Sequence, residues 1–212
     1  MSSSAGKIQV VIFDLGGVLV DMRGVPTILE WMENRFTAEQ LWTHWLSSPT
    51  VRDFERGRVS ADSFAQGIIG ELRLPVAPAD FLAAFTGWMA GLYPGALELV
   101  RSLPAGLTRA TLANTSSLHW PRMMEEFELE QAFHHHFPSH LTGRIKPDAE
   151  AFQHAIESMG CAPETVLFLD DNRPNVDTAR SLGMHAVQVK GPAQAREALV
   201  EAGILKTGIL KI

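Results

Sequence analysis

The stretch VVIFDLGGVLVD, residues 10–21, decides how this chain is read. Residues 8–13 form an apolar run with the length and composition of a strand buried on both faces. The run ends on a carboxylate, Asp14, and two glycines follow within three residues. Leu-Gly-Gly-Val is a poor helix start, so a capping role does not suit Asp14. Ligand-binding groups in an open α/β sheet collect just beyond the carboxyl ends of the strands, which is where Asp14 stands.

Further strands are expected at residues 107–113 and 165–169, with a shorter one at 184–189. Helical patterns alternate with them at 94–103, 148–159, 174–182 and 192–202, and the last three stop at Gly160, Gly183 and Gly203. This alternation predicts an α/β fold with a doubly wound, Rossmann-like parallel sheet. Residues 14–106 separate the first two strands, far more than a crossover needs. The interval reads as helical: Thr37-x-x-Gln40 has the form of a capping box, Ser60 can cap 61–72, and Pro78 can open 79–89. Residues 1–21 and 94–212 are therefore expected to form the core domain. Residues 22–93 are expected to form a helical cap, inserted after the first strand and sitting over its carboxyl end.

The 212 residues are 46% hydrophobic and 20% charged with a net charge of −6, enough for one core carrying an insertion. An acidic chain without a Lys/Arg cluster argues against a nucleic-acid partner. Cys161 is the single cysteine, so no intramolecular disulfide forms, and its surroundings suit a packed thiol. MSSSAGK is small and polar, the apolar run behind it is too short for a signal core, and nowhere do ~18 apolar residues run together. The expectation is a cytoplasmic monomer or homodimer with no membrane contact. ILKTGILKI at residues 204–212 repeats ILK once and is expected to be a packed tail or a small contact strand.

The polar candidates all lie near strand ends. Asp14 closes the first strand, Asn114 the second, and Asp170-Asp171-Asn172 the third; Lys146 lies in the loop GRIKPDAEAF. Singly, each has an ordinary reading: Asp171 or Asn172 as a helix cap, Asn114 in a turn, Lys146 solvated. Together, three carboxylates at one sheet edge repel one another unless a cation lies among them, and Mg²⁺ with a lysine would resolve this.

IFDLGGVLVD, LANTSSLHW, RIKPDAEAF and LFLDDNRPNVDTARSLGM resemble, in order and spacing, the four motifs of the haloacid dehalogenase (HAD) superfamily. Within it the chain is most similar to the helical-capped phosphatases, in the subgroup that includes bacterial α-D-glucose-1-phosphate phosphatases. The resemblance implies a phosphatase acting on a small-molecule phosphate ester through an aspartyl-phosphate. Asp14 would be the nucleophile, and Lys146 would balance charge. Mg²⁺ would be held by Asp14, the Gly16 carbonyl and Asp171, with Asp170 in support. Asn114 and Thr115 would hold the phosphoryl group, and Arg56 is the cap's candidate for contacting the substrate.

Two positions depart from that pattern. Gly16 stands where the family usually has the aspartate that moves the proton, a loss of about 10²–10⁴ in rate when uncompensated. This favours substrates with acidic leaving groups, such as a sugar 1-phosphate. Ala113 stands where Ser or Thr is usual, with Thr115 or Ser116 available as substitutes. Two alternatives follow: a degenerate member that binds a phosphorylated metabolite or a protein partner without turnover, and a metal-independent dehalogenase, against which Asp170-Asp171 argues.

Of the remaining features, His119 could replace the missing base, though a packing role suits it better. His134-His135-His136 cannot aim three adjacent side chains at one ion, and is expected to be a solvated or packed loop. Arg52, Arg56 and Arg58 have Asp53 and Glu55 beside them as surface partners. Trp31, Trp42, Trp45 and Trp88 suit packing within the cap or against the core.

Overall fold

In a computed structural model, which describes residues 7–207, the chain runs β1 (Val10–Phe13), β2 (Val20–Met22), α1 (Gly24–Trp31), α2 (Ala38–Ser47), α3 (Pro49–Glu55), α4 (Ala61–Leu72), α5 (Pro78–Thr86) and β3 (Met89–Leu92). It continues α6 (Ala96–Arg101), β4 (Thr108–Ala113), α7 (Trp120–Glu125), β5 (His135–Pro138), α8 (Ser139–Thr142), α9 (Ala149–Met159), β6 (Val166–Asp170), α10 (Arg173–Ser181), β7 (His185–Gln188) and α11 (Gly191–Glu201).

Five strands form one sheet in the order β5-β4-β1-β6-β7, and every pairing is parallel. The apolar run that opened the sequence is the central strand. Its side chains alternate between two cores, as the period of two requires. Val11 and Phe13 pack with Leu99, Leu167, Leu169 and Leu199 on one side. Val10 and Ile12 pack with Phe152, Phe168 and Val176 on the other. Burial on both faces is why β1 and β6 read as continuous apolar runs. Gly160 and Gly183 follow their helices with φ of 61° and 89°, the left-handed geometry expected after a helix end.

Helices α1–α5 pack around their own apolar cluster, in which Trp45, Phe54, Phe64, Phe81, Phe85 and Trp88 interlock. The Thr37 capping box forms: Thr37 Oγ1 accepts from the Gln40 N–H at 3.2 Å, and Gln40 Oε1 accepts from the Thr37 N–H at 2.9 Å. Ser60 caps α4, and Pro78 occupies the first turn of α5.

Three expectations are corrected. The helix expected over 79–89 ends at Thr86, and Met89–Leu92 form β3, which pairs antiparallel with β2 into a ribbon at the point where the chain enters and leaves the helical segment. Alternating Met-Ala-Gly-Leu followed by Tyr-Pro-Gly was the signal for it. The histidine run is not a loop; His135–Pro138 is edge strand β5, with His136 Nδ1 3.2 Å from Thr111 Oγ1 across the sheet. The helix expected over 94–103 is shortened to Ala96–Arg101, because Gly95 takes a left-handed φ of 79°. In the tail, Ile204 and Leu205 pack on the core; residues 1–6 and 208–212, with much of MSSSAGK and ILKTGILKI, lie outside the described residues. Among the described residues no helix is long and apolar enough to cross a membrane.

Candidate active site

Asp14 leaves the central strand with its N–H bonded to the Leu169 carbonyl at 2.8 Å, which fixes its backbone at the sheet mouth between β4 and β6. Asp170 ends β6 and Asp171 follows it. Carboxylate oxygens of Asp14, Asp170 and Asp171 lie within 4.8 Å of one another. Lys146 comes from the loop before α9, and its Nζ donates to Asp14 Oδ1 at 2.8 Å and Asp170 Oδ2 at 2.7 Å. That loop is held by Asn114, whose Oδ1 accepts from the Lys146 N–H and whose Nδ2 donates to the Lys146 carbonyl, both at 2.9 Å. Asp170 is fully buried and its oxygens also accept from the Asn172 N–H and Asn175 Nδ2.

Three carboxylates face one ammonium, and burial magnifies the imbalance. Burial pushes Asp14 up to about 8; Lys146 opposes the rise, while Asp170 and Asp171 add to it. Asp171 is pushed up to about 6 by burial and by Asp170. Burial alone would lower Lys146, but Asp14 and Asp170 outweigh it and hold its proton firmly. The donor set is all hard carboxylate oxygen, crowded and short of positive charge. That chemistry fits a divalent oxygen-seeking ion such as Mg²⁺.

Beside the cluster, Thr115 Oγ1 and Ser116 Oγ are buried without hydrogen-bond partners. Both residues line a cavity of about 630 Å³ that Asp14, Lys146 and Asp171 also line. Orphaned hydroxyls are rare in native interiors, and two in one turn mark a place for acceptor oxygens. They stand beside Ala113, where a hydroxyl is missing.

Residues of α1, α2, α3 and α5 line the other side of this cavity. Arg52 Nη2 donates to both oxygens of Asp148 at 2.9 Å, and Arg56 Nη2 pairs with the same carboxylate. Trp42 Nε1 donates to Asn172 Oδ1 at 3.2 Å. His119 Nε2 bonds the Phe85 carbonyl at 2.6 Å, and burial drives its pKa down to about 4 in spite of that bond. His119 lines the cavity, but its Nε2 is committed to a backbone carbonyl and burial disfavours its charged form, which suits a packing role.

Asp14, Gly16, Asn114, Thr115, Lys146 and Asp171 converge on the cavity, and Asp170 lies directly beneath Lys146. Arg56 does not converge. It is absent from the lining, and Asp148 holds its guanidinium in the wall between cap and core. Asn114 lines the cavity, but both ends of its amide serve the lysine loop. Two features escaped sequence reasoning. Met22 occupies the space beside Gly16, where a Cβ would overlap its sulfur. Glu55, taken for a surface partner, lines the cavity. Its signal was its place one turn after buried Val51 and next to buried Phe54, on the inward stripe of α3.

A family model for haloacid dehalogenase-like hydrolases matches residues 8–183, which spans both the sheet and the helical insertion. The chain belongs to this family of hydrolases. The haloacid dehalogenase-like chain is 26% identical to the sesquiterpene phosphatase astK of Aspergillus oryzae over 179 residues, covering 83% of this chain and 87% of that one. It is 23% identical to a D-ribitol-5-phosphate phosphatase of Bacteroides thetaiotaomicron, covering 91% and 97%. It is also 26% identical to mouse acyl-CoA dehydrogenase family member 10 over 91% of its own length, but it spans only 19% of that protein. Among solved structures, a "predicted HAD-like family hydrolase" from Porphyromonas gingivalis shares the fold with a TM-score of 0.75 at 22% identity, covering 95% of this chain and all of that one. A HAD family enzyme from B. thetaiotaomicron, in complex with magnesium and inorganic phosphate, superposes with a TM-score of 0.69 at 23% identity, covering 86% and 94%.

Proposed function

We propose that this hydrolase is a Mg²⁺-dependent phosphatase of small organic phosphate monoesters that works through an aspartyl-phosphate. One observation carries the reading: a crowded, charge-deficient set of carboxylates shares a single buried lysine beneath two unpartnered hydroxyls. Relatives named as phosphatases support it. A dehalogenase needs no metal, so a crowded, charge-deficient set of three carboxylates favours the phosphatase over that alternative.

In this reading residues 22–93 act as the substrate-facing cap, and Asp14 is the nucleophile. One of its carboxylate oxygens forms a bond to phosphorus as the bond from phosphorus to the alcohol oxygen breaks. Water then attacks the aspartyl-phosphate, releasing phosphate and restoring the carboxylate. Lys146 holds Asp14 in place, opposes the burial that favours its protonated form, and offsets charge on the phosphoryl oxygens. Thr115 and Ser116 donate to those oxygens, and Asn114 positions the lysine loop. Asp14, Asp171 and the Gly16 carbonyl would hold the metal, with Asp170 behind them. A metal bound there supplies positive charge to the phosphoryl oxygens and lets the carboxylates stay ionised together.

The test is phosphate release from a panel of esters with Mg²⁺, with EDTA, and by Asp14→Asn. Release that requires the metal and disappears in Asp14→Asn supports the proposal. Mg²⁺-dependent binding of esters without any release would instead make the chain a non-catalytic member of its family.

A further inference from the structure

We infer that the alcohol half of the substrate is a bulky apolar group, so that the substrate is an amphiphilic phosphate monoester. The inference rests on the phosphatase reading and deepens it. The cavity of about 630 Å³ is ordinary for an organic ligand and far larger than one phosphoryl group requires. Above the carboxylates its walls are Ile28, Leu41, Trp45, Leu46, Phe85 and Trp88. Leu46 and Met22 also line it and are 39% and 37% exposed, so an apolar edge faces solvent.

Most of the cap's polar groups at the cavity are already committed, the exceptions being the Glu55 carboxylate and Trp88 Nε1. Thr43 Oγ1 donates to the Glu39 carbonyl at 2.9 Å, and Ser47 Oγ donates to the Thr43 carbonyl at 2.9 Å. Trp42 is engaged by Asn172 and Arg52 by Asp148. A sugar would bring several hydroxyls into this space and leave most of them unpaired, which a buried site penalises heavily. The cap thus opposes the sugar phosphate that Gly16 alone suggested.

The experiment measures kcat/KM with Mg²⁺ over n-alkyl phosphates from two to ten carbons and over hexose phosphates. Binding of the same esters to Asp14→Asn is measured by calorimetry. Burial of each methylene is expected to raise kcat/KM about fourfold until the cavity is filled, with hexose phosphates no better than ethyl phosphate. Leu46→Asn, at the exposed edge, should depress the long esters and spare the shortest. A flat series, or preference for the hexoses, overturns the inference. No turnover with binding that still climbs with chain length would sink the phosphatase reading and sustain the apolar ligand. No turnover with flat binding sinks both.

Glu55 carries an independent inference: the geometry points to this cap carboxylate as the acid and base that Gly16 leaves unsupplied. It lines the same cavity and its carboxylate makes no hydrogen bond or ion pair with any described residue, although Lys146 and Arg52 act on it electrostatically. Met22 fills the space beside Gly16, so no core side chain stands there. Burial pushes Glu55 up to about 7, with Lys146 and Arg52 pulling the other way, so both forms exist at neutral pH. Protonated Glu55 gives its proton to the alcohol oxygen as the bond to phosphorus breaks. The carboxylate then takes a proton from the water that attacks the aspartyl-phosphate. Proton and charge balance over the cycle.

Glu55→Gln is expected to lose about 10²–10⁴ in turnover of an alkyl phosphate. With p-nitrophenyl phosphate, whose leaving group needs no proton, it should release one equivalent of nitrophenolate in a burst before a slow steady state. Unchanged alkyl turnover, or a uniform rise in KM without a burst, removes Glu55 from the chemistry. If the wild-type protein hydrolyses no ester in the same assay, the phosphatase reading has failed and the Glu55 role falls with it.

Discussion

The floor of the cavity sets three carboxylates, a lysine and two free hydroxyls into one small volume, whereas its ceiling offers aromatic and aliphatic walls with a single unpartnered carboxylate. The floor comes from three strand ends and two loops whose polar atoms constrain one another: Asn114 holds the Lys146 backbone, Lys146 bridges Asp14 and Asp170, and Asn175 holds Asp170. The ceiling comes from one helical insertion, and its polar atoms mostly bond within the cap or fasten it to the core. A rigid polar floor suits chemistry common to many substrates, and an apolar ceiling suits discrimination among them. Substitutions below should therefore act on kcat, and those above on KM and on the choice of ester.

The largest effect is expected from Lys146→Met. It removes the one cation between Asp14 and Asp170 and leaves carboxylates facing each other in a buried site. Breaking a buried pair in this way costs about 3–5 kcal/mol of stability, and losing its electrostatic support should lower kcat by about 10²–10³. Thermal unfolding and phosphate release measure the two separately. Adding Asp170→Asn should recover part of the stability and none of the activity. Activity returning together with stability would make Lys146 a structural residue and break the contrast between floor and ceiling.

Thr115→Val with Ser116→Ala comes next. Both hydroxyls are buried without partners, so removing them takes away no hydrogen bond of the folded state, and stability should hold or rise. Turnover should fall about tenfold for each hydroxyl removed, through the donors lost to the phosphoryl oxygens. A fall in stability with unchanged kcat would show that the hydroxyls serve the fold.

The floor was legible in the sequence because its residues sit where strands end. The run 8–13 marks β1, so Asp14 has to stand at the sheet mouth, and Asp170 and Asp171 follow from the run before them in the same way. Asn114 follows from the end of its own strand, and Lys146 was placed by its loop and the family resemblance. Their mutual backbone clasp was not, because it depends on two loops meeting side by side. The ceiling was legible only as helices. Turn signals gave the capping box at Thr37 and the helix start at Pro78, but an apolar position on a helix faces either the cap's own core or the cavity, and periodicity does not separate the two. For that reason Arg56 and Glu55, adjacent in sequence, exchanged roles. Its positive charge made Arg56 the candidate for an anionic substrate, and Glu55 was read as a surface partner for the neighbouring arginines. Consecutive helical positions point about 100° apart, so at the end of α3 Glu55 lines the cavity while Arg56 pairs with Asp148.

Glu55 also predicts a pH-dependent stability of intermediate size. Its carboxyl sits at about 7 in the folded protein against an ordinary 4.5, so the folded state holds the proton more tightly. Stability from this group is full below about 4.5 and is lost as pH rises through about 7. Glu55→Gln should therefore raise the melting temperature by a few degrees at pH 8 and leave it unchanged at pH 4. Melting curves at the two pH values measure this without reference to any substrate, and equal effects at both would place the side chain in water.

The smallest effect is expected where the two regions are fastened together. Asp148 takes Arg52 and Arg56 from the cap, but these side chains are 13–31% exposed, so solvent and salt weaken the pairs to about 1 kcal/mol together. Asp148→Asn keeps the size and an acceptor oxygen while removing the charge. It should loosen cap closure enough to raise KM a few-fold at low salt, with kcat unchanged because no group of the floor has moved. In 1 M salt, where the Debye length is about 3 Å, wild type and variant should converge. A change in kcat instead would mean that cap and floor are coupled through the Lys146-Pro147-Asp148 loop, and the division between a floor for chemistry and a ceiling for recognition would have to be redrawn at that loop.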